Sequence, residues 1–388
     1  MRIAIDARFL GTGTGIGRYV EQLILNLEKI DLSPQGSANG ASGIPFASQT
    51  RFAGENEYFI LINKDNEAKY QPLESNFKKV VVNIPWYGLE EQIKLPKILK
   101  NLRVDLVHFP HFNVPFFYNQ PFVISIHDLI LTKYPSQRAT TLSPLKYFFK
   151  NILYQIVIKH AVQKAQVVIT MAEFTKKEII EKFQVPESKV RVIYEGVTKF
   201  EDNDSKVDLE KYGINKNFIL YVGNAYPHKN LEFLIKTWSD FKKDYQLVLV
   251  GKKDYFYERL GELIKSLNLE NKIILTGYIS DQELVSFYQQ ARAYVFPSLC
   301  EGFGLPPLEA MQFSLPALVS NASCLPEILK NSVLYFCPQD QDDFLEKIDK
   351  IIEDEELRKE LIINSQKLLL KYNWMIMARE ILNIYKEL

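Results

Sequence analysis

The chain has 388 residues, 47% hydrophobic and 24% charged, with 47 Lys plus Arg against 47 Asp plus Glu. At roughly 100–200 residues per domain that length suggests two or three globular domains, and the balanced charge argues against a dedicated nucleic-acid binder. Three widely spaced cysteines exclude a disulfide scaffold and a cysteine-rich zinc module, and no apolar run reaches the ~18 residues of a transmembrane helix.

Met1-Arg2-Ile3-Ala4-Ile5-Asp6 reads at once as a strand and leaves no room for a signal peptide, so a cytoplasmic protein with reduced thiols is expected. Strands are predicted at 2–7, 57–62, 79–83, 104–109, 122–127, 167–170 and 189–194, all rich in Val, Ile and Phe. Amphipathic stretches such as 18–30 and 174–183 lie between them. That rhythm means a parallel sheet with helices on both faces. The stretch 31–56 has little to bury and reads as a flexible insertion. Near 199–211 the chain turns polar and acidic, which marks a linker. The alternation then restarts, with strands predicted at 218–222, 246–250, 272–276, 293–296, 317–320 and 333–336. Ser280 with Glu283 makes a capping box for one intervening helix. Two doubly wound halves place their ligand sites beyond the carboxyl ends of the strands, and a cleft between the two domains is the default expectation.

Four constellations bear on chemistry. Gly11-Thr12-Gly13-Thr14-Gly15-Ile16-Gly17 follows the first strand and precedes a helix, where backbone can approach an anion. The acid of a dinucleotide fingerprint is missing, because the second strand ends in Asn63. His127-Asp128 leaves the carboxyl end of the fifth strand, where an imidazole can donate to a sugar hydroxyl or handle a proton; a purely structural histidine is the alternative. His108 and His111 lack a third neighbour and do not make a metal site. In the second half, Gly223-Asn224-Ala225-Tyr226-Pro227-His228-Lys229 runs from a strand into a helix. Gly223 frees that turn, and Lys229 is placed to meet a phosphate already favoured by the helix dipole.

The fourth and most informative run is Glu301-Gly302-Phe303-Gly304-Leu305-Pro306-Pro307-Leu308-Glu309. Pro306-Pro307 marks the first turn of a helix. Eight helical positions would set the two glutamates about 12 Å apart, against the ~5–9.5 Å of glycosidase carboxyl pairs. They read as two recognition groups along an extended ligand. The amides of Phe303, Gly304 and Leu305 can receive sugar hydroxyls and phosphate.

Together with Ser320-Asn321 and Leu325-Pro326-Glu327, these residues resemble glycosyltransferase family 4 over essentially the whole chain, and within it a branch of polysaccharide mannosyltransferases. The resemblance implies the GT-B fold: an acceptor-binding Rossmann-like domain at 1–200, a nucleotide-sugar-binding one at 212–372, and a helix at 373–388 crossing back to the first. It implies retaining transfer of a hexose, mannose from GDP-mannose, to a glycan or lipid-linked acceptor, with no cofactor and no essential metal. On that pattern Glu301 holds donor-sugar hydroxyls with Phe303 and Gly304, and Glu309 holds the ribose. Lys229, with Gly15, Gly223, Asn224 and Leu305, cradles the phosphates, and His127 lies beside the transferred sugar. Many members carry Arg where this chain has Asn224; Arg18 or His228 would compensate. A UDP-sugar donor, or a sugar-nucleotide-binding protein without catalysis, are the alternatives. Asp202-Asn203-Asp204 and Asp340-Gln341-Asp342 match a metal-binding Asp-x-Asp pattern, but neither ends a nucleotide-binding strand.

The segment 136–164 carries Arg138, Lys146, Lys150, Lys159 and Lys164 and no acid. Leu145, Phe149, Ile152 and Ile156 fall at helical spacing. The two readings are peripheral contact with anionic membrane at the inner face of the plasma membrane, or a core-facing stripe.

Overall fold

The computed structural model describes residues 1–32, 56–133, 144–200 and 207–388. The expected insertion, the acids at 201–204 and Arg138 therefore lie largely or wholly outside the described residues, as do the side chains of Leu145 and Lys146. The chain divides into two compact units. The first comprises Met1–Leu129, Phe148–Gly196 and Trp374–Leu388, the second Ile130–Tyr147 and Val197–Asn373.

The first unit is built on β1 (Arg2–Asp6), β2 (Glu57–Asn63), β3 (Phe77–Val82), β4 (Leu106–Phe109), β5 (Phe122–Ile126), β6 (Val167–Thr170) and β7 (Val190–Val192). All pair in parallel, in the order β3-β2-β1-β4-β5-β6-β7. The central strands are buried on both faces, which is why they read as unbroken apolar runs. Strand order reverses between β1 and β4, so the loops leaving their carboxyl ends part there and open a crevice.

The second unit repeats the plan with β8 (Phe218–Val222), β9 (Gln246–Val250), β10 (Ile273–Gly277), β11 (Ala293–Phe296), β12 (Ala317–Ser320) and β13 (Leu334–Phe336). Its parallel order is β10-β9-β8-β11-β12-β13, with the reversal between β8 and β11. Two Rossmann-like parallel sheets are the fold class that the alternation of elements anticipates.

Helix ends follow local chemistry. Thr14 caps the helix Gly15–Ile30, its hydroxyl accepting from Gly17 N at 3.1 Å. At the helix Asp281–Gln290, Ser280 Oγ accepts from Glu283 N at 3.3 Å while Ser280 N donates to Glu283 Oε2 at 3.3 Å, the full capping box.

Two helical faces differ from the expected ones. In the helix Trp374–Glu387, Ala378, Ile381, Ile384 and Tyr385 are buried, but Ile376 is exposed and Met377 and Leu382 take inward positions. At 100° per residue, position 376 falls off the face that 377, 381 and 384 share. In the helix Pro144–Lys164, Phe149, Ile152 and Ile156 are exposed. The core face is instead Ile158, Ala161 and Val162, so the core-facing reading of that stripe is corrected.

The polar stretch 199–211 also begins later than the junction itself. Val197 N already bonds Tyr372 O at 3.2 Å and Thr198 O accepts from Gln312 at 2.9 Å, while Phe200 packs on Phe313 and Tyr288, all within the second unit.

Candidate functional site

In the second unit the expected residues gather where β8 and β11 diverge. Lys229 ends a short 3-10 turn, Pro227–Lys229, after β8. Glu301 lies in the loop after β11. Lys229 Nζ donates to Glu301 Oε1 at 2.6 Å, with side chains only 12% and 9% exposed. The ammonium also sits 5.3 Å from the Phe296 ring centroid. Leu299 N donates to His228 O at 2.7 Å and ties the two loops together. The Glu301 backbone is held on both sides: its N–H donates to Ser323 Oγ at 2.9 Å, and Cys324 Sγ donates to its carbonyl at 3.2 Å. Removing one partner of such a nearly dry ion pair leaves a costly uncompensated charge.

Glu309 is buried on the helix Leu305–Gln312 and accepts from Tyr288 OH at 3.4 Å. Gly304 caps that helix at φ 95°, a left-handed conformation, and a Cβ there would lie 2.7 Å from Leu325 Cδ2. Pro306 and Pro307, the second and third residues of the helix, have no N–H, so of the first four helical positions only Leu305 and Leu308 carry donors to offer an anion. Phe303 turns its ring inward against Tyr372 at 5.2 Å, so its side chain belongs to the core. Asn224 is exposed, its Oδ1 accepting from Tyr226 N at 3.3 Å and its carbonyl from Tyr221 OH at 2.8 Å. Burial, with Lys229 beside it, pushes the His228 imidazole down to about 4. His228 is therefore uncharged near neutral pH when no anion is bound beside it. Asp340 of the second Asp-x-Asp is spent as a helix cap, accepting from Asp343 N at 3.0 Å.

In the first unit, Gly15 opens its helix with nothing within 4 Å of where a Cβ would stand. Gly17 is the packed glycine of that loop, since a Cβ would lie 2.7 Å from Phe9 O. Arg18 is half-buried in the same first turn. His127 follows β5 with both nitrogens occupied: Nδ1 lies 3.2 Å from Glu195 Oε1 and Nε2 3.1 Å from Pro110 O. Glu195, just beyond β7, is a partner that local sequence does not announce, because it stands 68 positions away. His108 and His111 do not face each other as metal ligands. His108 bonds Tyr385 OH at 2.5 Å and Ser125 Oγ at 2.8 Å, whereas His111 sits among aromatic rings.

The comparisons agree on a family. The profile described as glycosyl transferases group 1 matches residues 199–368, and that described as Glycosyltransferase Family 4 matches 62–199. The chain is 31% identical over 257 residues to the O-antigen chain mannosyltransferase RfbU of Salmonella typhimurium, covering 66% of this chain and 67% of that protein. It is 25% identical over 383 residues to O-antigen chain mannosyltransferase B of Escherichia coli, 96% of each. Among solved structures, sucrose-phosphate synthase from Thermosynechococcus elongatus superposes with a TM-score of 0.74 at 19% identity, over 100% of this chain and 98% of that one. Anabaena HepE in complex with UDP and glucose does so at 0.70 and 17%, over 100% of both. These two likenesses carry the GT-B fold.

Proposed function

The chain belongs to the group 1 glycosyltransferases of family 4, and from that premise we propose that it transfers mannose from GDP-mannose to a growing cell-surface polysaccharide, with retention of configuration and no essential metal ion. The observation that carries the reading is the Lys229–Glu301 pair at the β8/β11 switch point. It presents a cation for pyrophosphate and an anion for sugar hydroxyls side by side, as a nucleotide sugar requires. Relatives whose names specify mannose support the choice of sugar.

In this reading Lys229 neutralises the pyrophosphate, with Gly223, Asn224 and the Leu305 amide around it, and Gly15 at its helix start is a further phosphate-binding group. Glu301 accepts from the transferred sugar beside the amides of Phe303 and Gly304, and Glu309 accepts from the ribose. His127 is assigned to the sugar, exchanging the Pro110 carbonyl for a sugar hydroxyl while Glu195 holds the ring. The acceptor oxygen bonds the anomeric carbon on the face from which the phosphate leaves, and its proton passes to the departing phosphate oxygen. No side-chain nucleophile is then needed.

The test is calorimetric titration with GDP, UDP and ADP and their sugars, with EDTA present. Tight binding of GDP and GDP-mannose, and turnover that survives EDTA, is the expected result. Preference for UDP discards mannose and keeps the reaction class. Nucleotide binding without donor turnover favours a sugar-nucleotide-binding protein without catalysis, and absence of any nucleotide binding removes the donor site and the proposal with it.

We further propose that the protein works at the inner face of the plasma membrane. On the helix Pro144–Lys164, exposed Phe148, Phe149, Ile152, Leu153 and Ile156 share a surface with exposed Lys150 and Lys159, a combination suited to anionic lipid. No helix among the described residues is long and apolar enough to cross a membrane. Sedimentation with anionic but not neutral vesicles is expected, and its loss in Phe149→Ser/Ile152→Ser. Equal binding to both, or to neither, removes the idea.

A further inference from the structure

Five aromatic side chains cluster beyond the carboxyl ends of three strands of the first unit, β1, β3 and β4. Phe9 follows β1, Trp86 and Tyr87 follow β3, and His111 and Phe112 follow β4. Phe9 stacks on Trp86 at 4.6 Å with an 11° interplanar angle, and tilts against His111 at 5.2 Å. Tyr87 meets His111 edge-on at 6.2 Å and Phe112 at 6.3 Å. The segments after β1 and β4 flank the β1/β4 switch point, where ligands bind in sheets of this kind, and the segment after β3 reaches them through Trp86 and Tyr87.

Three features set the cluster apart from ordinary core. Tyr87 is 57% exposed and has φ 59°, a left-handed conformation that costs a bulky residue about 1–3 kcal/mol. Trp86 Nε1 and His111 Nδ1 are buried and, among the described residues, have no hydrogen-bond partner; such groups call for an explanation. Beneath the rings, one carboxylate binds all three segments. Buried Glu91 pairs with Arg8, itself held by Asp6 at 2.7 Å; its Oε2 accepts from Tyr87 N at 2.9 Å and from Asn113 Nδ2 at 2.6 Å. Buried charges are costly and weak evidence of stability. Here they fix the residue before Phe9, the backbone of Tyr87 and the residue after Phe112.

We propose that this platform is a carbohydrate subsite that stacks a pyranose ring of the acceptor glycan. An aromatic face matches the C–H face of a pyranose, and ring hydroxyls at its rim supply partners of the kind the Trp86 donor and the His111 nitrogen lack. The proposal rests on the glycosyltransferase reading for its role as acceptor site, and it assigns a sugar ring of that acceptor to named side chains of the first unit.

The test uses the full chain and trisaccharides of mannose, glucose, galactose and rhamnose, with saturation-transfer NMR and tryptophan fluorescence. GDP and UDP titrations run in parallel. Wild type is expected to saturate the ring C–H protons of at least one trisaccharide and to change Trp86 emission. Tyr87→Ala, whose exposed ring is not needed for the core, is expected to weaken binding at least tenfold, and Trp86→Ala likewise. Trp86→Phe and Tyr87→Phe, which keep the rings, retain most of the binding, and nucleotide affinity stays within twofold throughout. Wild type that binds none of the sugars, or Tyr87→Ala and Trp86→Ala that bind as wild type does, overturns the proposal. Loss of nucleotide binding in the wild type would instead strike the glycosyltransferase reading and leave the stacking result to stand or fall separately.

Discussion

His108 lies fully buried between two hydroxyls, Tyr385 OH and Ser125 Oγ, and Tyr19 OH continues the chain to Ser125 at 2.9 Å. Hydroxyls donate or accept as required, so a neutral imidazole is satisfied at both nitrogens. Burial, with His127 adding, pushes this histidine down to about 3, against ~6.5 in an unfolded chain. The sign follows. As pH falls below ~6.5 the unfolded chain takes up a proton that the native state refuses until about pH 3, so stability is lost across that window at ~1.4 kcal/mol per pH unit for this one group. His108 alone then costs about 2 kcal/mol by pH 5. Urea midpoints should fall between pH 7 and pH 5, and His108→Gln, which still offers a donor and an acceptor, should show a shallower fall by about one proton. An unchanged pH slope in that variant would mean His108 is not held neutral. The Lys229–Glu301 pair belongs to the same scale. Two residues 72 positions apart were each legible as ligand groups from their loops, but their mutual ion pair was not, because it depends on which strands are neighbours.

At the scale of elements, the two glycine turns differ in what their glycines are for. Gly304 at φ 95° starts the helix that carries Glu309 and faces Leu325. Gly304→Ala should cost roughly 1–3 kcal/mol and weaken nucleotide binding with it. Gly15→Ala meets open space at an ordinary φ, so its melting temperature should match or slightly exceed wild type, and any lost turnover would then report on ligand alone. Thermal melts paired with donor turnover separate the two cases. A Gly15→Ala protein that unfolds early would contradict the open space. Elements of this kind were largely legible in advance. All thirteen strands among the described residues stand at or within about two residues of their expected spans, because Val- and Ile-rich runs, buried on both faces in the central strands, carry a clear pattern. The Ser280–Glu283 box was legible because its chemistry is four residues long. What escaped was long-range. Glu91 reads as an ordinary helix-start acid, yet it joins Arg8, Tyr87 and Asn113. Ile376 has the right residue type but the wrong angle around its helix.

At the scale of the whole molecule, the first unit is assembled from both ends of the chain. The helix Trp374–Glu387 packs on the helix Gly15–Ile30 and places Tyr385 against His108. Trp374, Met377, Ala378, Ile381, Leu382, Ile384 and Tyr385 are all buried. Each large apolar side chain among them contributes roughly 1.5–3 kcal/mol on burial, so together they rival the ~5–15 kcal/mol by which a domain is stable at all. A fragment 1–196 without this helix should therefore lack cooperative unfolding, while 197–373, with its own sheet, should keep it. The chain leaves the first unit for the second time at Gly196 and re-enters at Trp374, and these two residues touch: a Cβ on Gly196 would lie 2.2 Å from Trp374 N. A short glycine-serine linker joining 196 to 374 should accordingly restore a folded first unit with the second removed. Calorimetric melts of the three proteins decide the matter. A fragment 1–196 that melts cooperatively at the temperature of the linked version would show that the returning helix is an ornament to the first unit rather than part of its core.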